Sequence, residues 1–166
     1  MHAFADVEER VQVLLWIVTG TDPKIAKAIF SGTRTDTASG YIRRTFAAQQ
    51  QPMPEVLDRA LSHLKVLMGV RNTILHYGAK FEDGTLHASN RLLALPGQED
   101  SIPVRPDVLD RMWLDLQAIS RCFVAYLMAR PGEVIPESTR EFFRQDAQVP
   151  WQYKPHARRK ESKDSP

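Results

Sequence analysis

From Glu55 to Tyr77 the chain runs without a proline, and its apolar residues return every three or four positions. That period belongs to an α-helix, and a helix this long sets the scale of whatever packs against it. On a wheel advancing about 100° per residue, Leu61, Leu64, Met68 and Leu75 fall within about 40° of Leu57. Arg71 falls about 40° to the other side, inside the same apolar stripe. A guanidinium is seldom buried without a partner, because stranding one in apolar surroundings costs several kcal/mol. Either Arg71 meets an acid inside the fold, with Glu8 and Asp115 as candidates, or the stripe opens there onto something anionic or wet.

The rest of the chain supplies partners for this helix. Residues 4–19 carry Phe4, Val7, Val11, Leu14, Leu15 and Val18 at helical spacing, with Asp6, Glu8 and Glu9 early and Gly20 after the end. Thr21-Asp22-Pro23 reads as a cap followed by a first-turn proline, opening a short helix over Lys24–Phe30. A third helix is expected over Thr37–Gln49, with Tyr41, Ile42 and Phe46 facing inward. Gln49–Gln51, Pro52 and Pro54 make a loop before the long helix, and Gly78 is placed to end that helix. Lys80–Glu82, Asp83-Gly84 and Thr85–Ala88 then read as a hairpin, with an outgoing strand reaching towards Arg91–Leu95. Pro103 and Pro106 bracket extended chain before a helix over Asp107–Ala129, followed by a short one over Ser138–Arg144.

The expected fold is therefore all-α: a bundle of about five to six helices with a β-hairpin inserted between the two longest. A length of 166 residues with 43% hydrophobic and 25% charged side chains suits one domain with a proper core. That domain is expected over residues 1–150. Residues 151–166 hold Lys154, Arg158, Arg159, Lys160 and Lys163 and are expected to form a disordered basic tail. Trp151 and Tyr153 read as its anchor in preference to a base-stacking pair. A net charge of +2 excludes a strongly basic coat protein but not a local basic patch. The single cysteine, Cys122, lies on an apolar helix face and reads as a core thiol in a reducing compartment. Val11–Val18 is too short to span a bilayer and follows an acidic stretch, Asp6–Glu9, instead of a basic one, so no membrane segment is expected and the cytoplasm is the default address.

Three residues at the end of the long helix carry chemistry. Asn72 lies at the edge of the apolar stripe, and His76 follows one turn later on the same side. Arg71 and His76 stand about 140° apart and roughly 7.5 Å along the axis, within the span of an arginine that leans round. RNA cleavage without a metal calls for these side-chain types. An imidazole can take the proton of a ribose 2′-OH, and a guanidinium fork suits the charge on a pentavalent phosphate. Asn72 could orient the phosphate or the imidazole. DNA, lacking the 2′-OH, is no substrate by this route. No His, Cys and Asp set has metal-ligand spacing, and Gly69 and Gly78 build no phosphate loop, so neither metal nor cofactor is expected.

The string Arg71-Asn72-Thr73-Ile74-Leu75-His76-Tyr77-Gly78 resembles the signature of HEPN domains: an arginine, a polar residue and, a few positions on, a histidine in a helical bundle. The likeness covers the motif and the general layout over residues 1–145. It implies a metal-independent endoribonuclease acting as a homodimer, with the arginine and histidine of both chains meeting in a cleft. It also implies a toxin–antitoxin, defence or RNA-processing setting with a possible cognate antitoxin, and Arg71, Asn72 and His76 as the site. Other members of the family are non-catalytic modules that bind a partner protein or a nucleotide, and that reading stands beside the first. The hairpin departs from the minimal bundle and could line the cleft or cover it.

Lesser candidates complete the reading. Arg43, Arg44 and Tyr77 are weak candidates for RNA contact, and solvated surface is the plainer account of the two arginines. His63 falls about 120° from Leu57 and is expected to face solvent. His87 alternates within the hairpin and matters only if that hairpin folds over the cleft. Trp16, Trp113 and Phe46 are expected in the core.

Overall fold

The computed structural model describes residues 2–77, 79–82, 84–89, 101–128, 137, 141 and 150–155. Among these residues the order is α1 (His2–Val18), α2 (Pro23–Phe30), α3 (Thr35–Ala48), α4 (Glu55–His76), β1 (Ala79–Glu82), β2 (Thr85–Ser89), β3 (Ser101–Pro103) and α5 (Pro106–Met128). The fold is mostly helical, with a small antiparallel sheet between α4 and α5, as the sequence led us to expect. The suggested strand at 91–95, the Gly78 cap and almost all of the helix at 138–144 lie outside the described residues.

Local chemistry accounts for the breaks. α1 ends at Val18, and two residues on Gly20 takes a φ of 65° that is open to glycine at no steric cost. At α2 the Asp22 carboxylate accepts the N–H groups of Lys24 and Ile25, with Pro23 in the first turn. The register Glu82↔Thr85 leaves a two-residue hairpin turn, in which Gly84 has a φ of 74°.

The core forms where α1 packs on α3 and α5, and α4 on α5. Val7, Val11, Leu14 and Leu15 of α1 meet Ile42 and Phe46 of α3, Leu57, Leu61, Leu64 and Leu67 of α4, and Met112, Leu116, Ile119 and Phe123 of α5. Cys122 is buried among them, as expected for a core thiol. Arg43 joins α3 to α4: its Nε donates to Asp58 Oδ1 at 2.7 Å and an NH2 group to Ser62 Oγ at 2.8 Å. Both partners of this ion pair are half-exposed, so Arg43→Ala is expected to cost only about 0.5–1 kcal/mol, measured as a shift in the denaturant midpoint.

Several expectations need correction. Trp113 is not in the core; it lies 50% exposed on α5, outside the arc formed by Met112, Asp115, Leu116 and Ile119. Tyr41 is exposed, tilted against Phe30 and covered on one face by Arg44. The extended chain at Pro103 is strand β3, paired to β2 through Ala88↔Ile102. The domain boundary drawn at 150/151 moves past Tyr153, since Trp151 and Tyr153, read from sequence as an anchor, pack as one: Tyr153 is buried and Trp151 lies against the core.

His63 departs furthest from expectation. It is 8% exposed, and its Nε2 lies 2.7 Å from Oδ2 of Asp115, itself 2% exposed. Asp115 Oδ1 also accepts the backbone N–H of Gln152, and Oδ2 that of Tyr153, each at 2.8 Å. Since a carboxylate only accepts, the hydrogen in the His63–Asp115 bond sits on Nε2. Trp151 closes the arrangement, stacking on the His63 ring at 4.5 Å and 5°. The apolar arc of α4 is wider than Leu57, Leu61, Leu64, Met68 and Leu75 suggest. Ala60, Leu67 and Val70 are buried too, so the arc is centred about 50° from Leu57 and takes in His63 at its edge.

Candidate functional site

The shifted arc places Arg71 close to the middle of the bundle-facing side of α4. Its guanidinium is nevertheless not sealed in. Arg71 is only half-buried, since α4 ends five residues later and the cover there thins to the first turn of α1. From that turn Phe4 presents its ring, with the guanidinium carbon 5.8 Å from the ring centroid, a cation–π contact.

Neither acid proposed for Arg71 pairs with it. Asp115 is committed to His63 and the 152–153 backbone, and Glu8 accepts the Thr35 hydroxyl at 3.4 Å. Among the described residues Arg71 makes no ion pair, and its Nε is buried without a hydrogen-bond partner. Among the described residues its hydrogen bond runs outward, from an NH1 group to Asn72 Oδ1 at 3.4 Å. On the wheel Asn72 lies between Arg71 and His76, so this contact draws the guanidinium towards the histidine side of the helix. Asn72 and His76 are both exposed.

The helix stops immediately beyond. Tyr77 is its C-cap, in extended conformation with its N–H on the Thr73 carbonyl, and the chain turns into the sheet. His76 occupies the last turn, where a cation is favoured by the helix dipole. Strand alternation and register put Phe81, Leu86, Ala88 and Ile102 on one face of the sheet. Ala88 and Ile102 are buried, whereas Phe81 is 71% exposed and its partner Leu86 is exposed as well. Leu75, expected inside the stripe, is also exposed. The apolar face of the hairpin is therefore buried at Ala88 and Ile102 and uncovered at Phe81 and Leu86, on the sheet that follows directly on the end of α4.

The weaker candidates separate from this group. Arg43 is engaged with Asp58, and Arg44 lies over the Tyr41 ring at 4.7 Å. Arg43 lines a cavity of about 500 Å³ with Phe46, Met53, Glu55 and Asp58, at the opposite end of α4. His87 is on the polar face of the sheet, its Nδ1 3.3 Å from Ser101 Oγ. Among the described residues no three His, Cys, Asp or Glu side chains come together as a metal site would need, and no helix is long and apolar enough to cross a membrane. Phe4, which holds the guanidinium from α1, was not singled out from sequence, because its place in the α1 periodicity marks it only as core.

No protein-family model, no curated protein and no solved structure matches the chain.

Proposed function

We propose that this protein is a metal-independent endoribonuclease of HEPN type, working as a homodimer, with Arg71, Asn72 and His76 as its site. The reading rests on one observation: a guanidinium on the bundle-facing side of α4 with no carboxylate partner among the described residues, bonded outward to Asn72. A cation so placed is suited to an anion arriving from outside. Arginine offers a phosphate its planar fork, and Asn72 holds that fork on the side of the imidazole.

The reaction joins the ribose 2′-oxygen to phosphorus and breaks the bond from phosphorus to the 5′-oxygen. A base takes the 2′-OH proton and an acid delivers one to the departing 5′-oxygen, leaving a 2′,3′-cyclic phosphate and a 5′-hydroxyl. One chain brings one His76, so two copies supply the base and the acid together. An intracellular setting goes with this reading, as both the RNA substrate and the lone thiol of Cys122 suit it.

The test is incubation of purified protein with RNA in EDTA, with the product ends identified. Cleavage to cyclic phosphate ends by the wild type, lost in Arg71→Ala and His76→Ala, is the expected result. Equal cleavage by all three proteins would assign the activity to a contaminant and end the proposal. The second copy has its own test. Phe81→Glu with Leu86→Glu is expected to turn a dimer into a monomer in sedimentation, with little change in thermal midpoint because both side chains are already exposed. A wild-type protein that is strictly monomeric at micromolar concentration removes the composite site.

A non-catalytic module that binds a nucleotide or partner at the same surface is the second reading. It is favoured by the His76 ring, which has no hydrogen-bond partner among the described residues to set its tautomer. It predicts no turnover, with binding weakened by Arg71→Ala.

A further inference from the structure

We infer that the outer edge of β1 pairs with the same edge of a second copy of the chain, antiparallel about a two-fold axis, with Phe81 opposite the partner's Phe81. This rests on the homodimer reading for the existence of a second copy, and adds the surface that joins it.

Main-chain direction is the first observation. In an antiparallel ladder, successive residues turn their N–H and C=O groups to opposite sides of the strand. The two-residue turn makes Glu82↔Thr85 a hydrogen-bonded pair, and Lys80↔His87 is the next. Leu86 turns the other way, since its carbonyl accepts the Val104 N–H on the β3 side. Phe81, across from Leu86, therefore directs its own N–H and C=O away from β2, off the edge of a sheet ordered β1-β2-β3. Among the described residues no strand pairs with that edge. The outer edge of β3 differs. There Pro103, in a pair with His87 that is not hydrogen-bonded, has no N–H to offer.

The apolar side chains are the second. Phe81 is 71% exposed, the most exposed large hydrophobic among the described residues, and Leu86 beside it is exposed as well. Pairing β1 with its copy extends the row Leu86–Phe81 across the joint into the partner's Phe81 and Leu86. One contact then covers both uncovered positions of each chain and satisfies the outward main chain between them.

Charge complementarity is the third, and it selects the register. A two-fold axis centred on Phe81 sets Phe81 opposite itself and Lys80 opposite the partner's Glu82, twice over. An axis centred on Lys80 would set two lysines opposite one another. Opposite charges stabilise a cross-strand pair and like charges weaken it, so the strand is self-complementary only in the first register. β1 begins three positions after His76, so the contact joins the two chains where α4 ends.

The experiment is amide hydrogen exchange on the full chain at high and low protein concentration, beside sedimentation. The Lys80 amide, bonded within the hairpin, should be protected at both concentrations. The Phe81 amide should exchange at least about tenfold more slowly in the dimer than in the diluted monomer. Lys80→Glu is expected to abolish the dimer, and Lys80→Glu combined with Glu82→Lys to restore it. A dimer in which Phe81 exchanges freely overturns this pairing while leaving the homodimer of the proposed function intact. A monomer in which Phe81 is protected at every concentration overturns it too, because the edge is then covered within one chain. Dimerisation unaffected by Lys80→Glu overturns the register. Protection and charge rescue in a protein that cuts no RNA support the pairing and end only the nuclease reading.

Discussion

Asp115→Ala is expected to lower the stability of the protein by about 3–5 kcal/mol, although the residue lies on no proposed site. The Asp115 carboxylate is 2% exposed and accepts three hydrogen bonds, one from the His63 ring and two from main chain. Removing it forces a choice on the structure. If Trp151–Tyr153 stay in place, two buried donors and the part-buried N–H of Gln152 lose their acceptor, at about 1–3 kcal/mol for each buried one before relaxation. If the segment lifts away, the donors rehydrate, but Tyr153 and Trp151 give up their packing, at about 1.5–3 kcal/mol for a large apolar side chain. The two routes converge on a similar loss, and for a chain of this size that lowers the thermal midpoint by roughly 6–20 °C. Denaturant unfolding followed by circular dichroism reads it directly. A loss below about 1 kcal/mol would place the clamp with ordinary surface ion pairs and overturn the account of how the C-terminal segment is held.

The same residues show where sequence reading stops. The helices were legible because each hides one face: α1 through Val7, Val11, Leu14 and Leu15, and α5 through Met112, Leu116, Ile119 and Phe123. Capping chemistry marked α2, and the Asp83-Gly84 turn marked the hairpin to within a residue at each end. His63 was misread because the apolar arc of α4 was drawn from Leu57, Leu61, Leu64, Met68 and Leu75, without Leu67, Ala60 or Val70. Ala60 and Val70 are small, yet they are buried and widen the arc to include the histidine. Its partner Asp115 is more than fifty positions away, and the donors that make a buried carboxylate tolerable come from main chain, which leaves no mark in composition. Strand β3 was hidden for a related reason: three residues ending in a proline show no alternation, and only pairing with β2 makes them a strand.

At the candidate site the legible part was the anomaly, an arginine where the helix reserves room for apolar side chains. Its resolution was not legible. Whether Arg71 meets an acid depends on what else claims Glu8 and Asp115, and both turn out to be engaged elsewhere. The partial cover by Phe4 and the bond to Asn72 are matters of tertiary packing and side-chain rotamer, which leave no mark in the sequence. The exposure of Phe81 and Leu86 was not legible either, since the same sheet face is buried at Ala88 and Ile102.

Arg71 is also the residue at which stability and activity can be set against each other. Arg71→Ala is expected to reduce RNA cleavage by about 10²–10³-fold, as when a transition-state anion loses a charged donor. His76→Ala is expected to reduce it by about 10²–10⁴-fold, the usual range for a general acid or base. Asn72→Ala, which frees the guanidinium without removing it, should reduce cleavage by about tenfold, equivalent to one modest hydrogen bond. Arg71→Lys keeps the charge but not the fork, so it should stay closer to Arg71→Ala than to the wild type. None of these substitutions should move the folding midpoint by much, because Arg71 has no ion pair to break among the described residues, and Asn72 and His76 are exposed. The measurements are initial rates on a single-stranded RNA, with its 2′-deoxy counterpart uncut, beside denaturant curves for every variant. If Arg71 were instead a structural partner inside the bundle, Arg71→Ala would cost about 3–5 kcal/mol and leave any cleavage in proportion to the folded fraction. Activity lost with stability kept is the pattern that a ligand-facing guanidinium produces, and the reverse pattern would end the assignment.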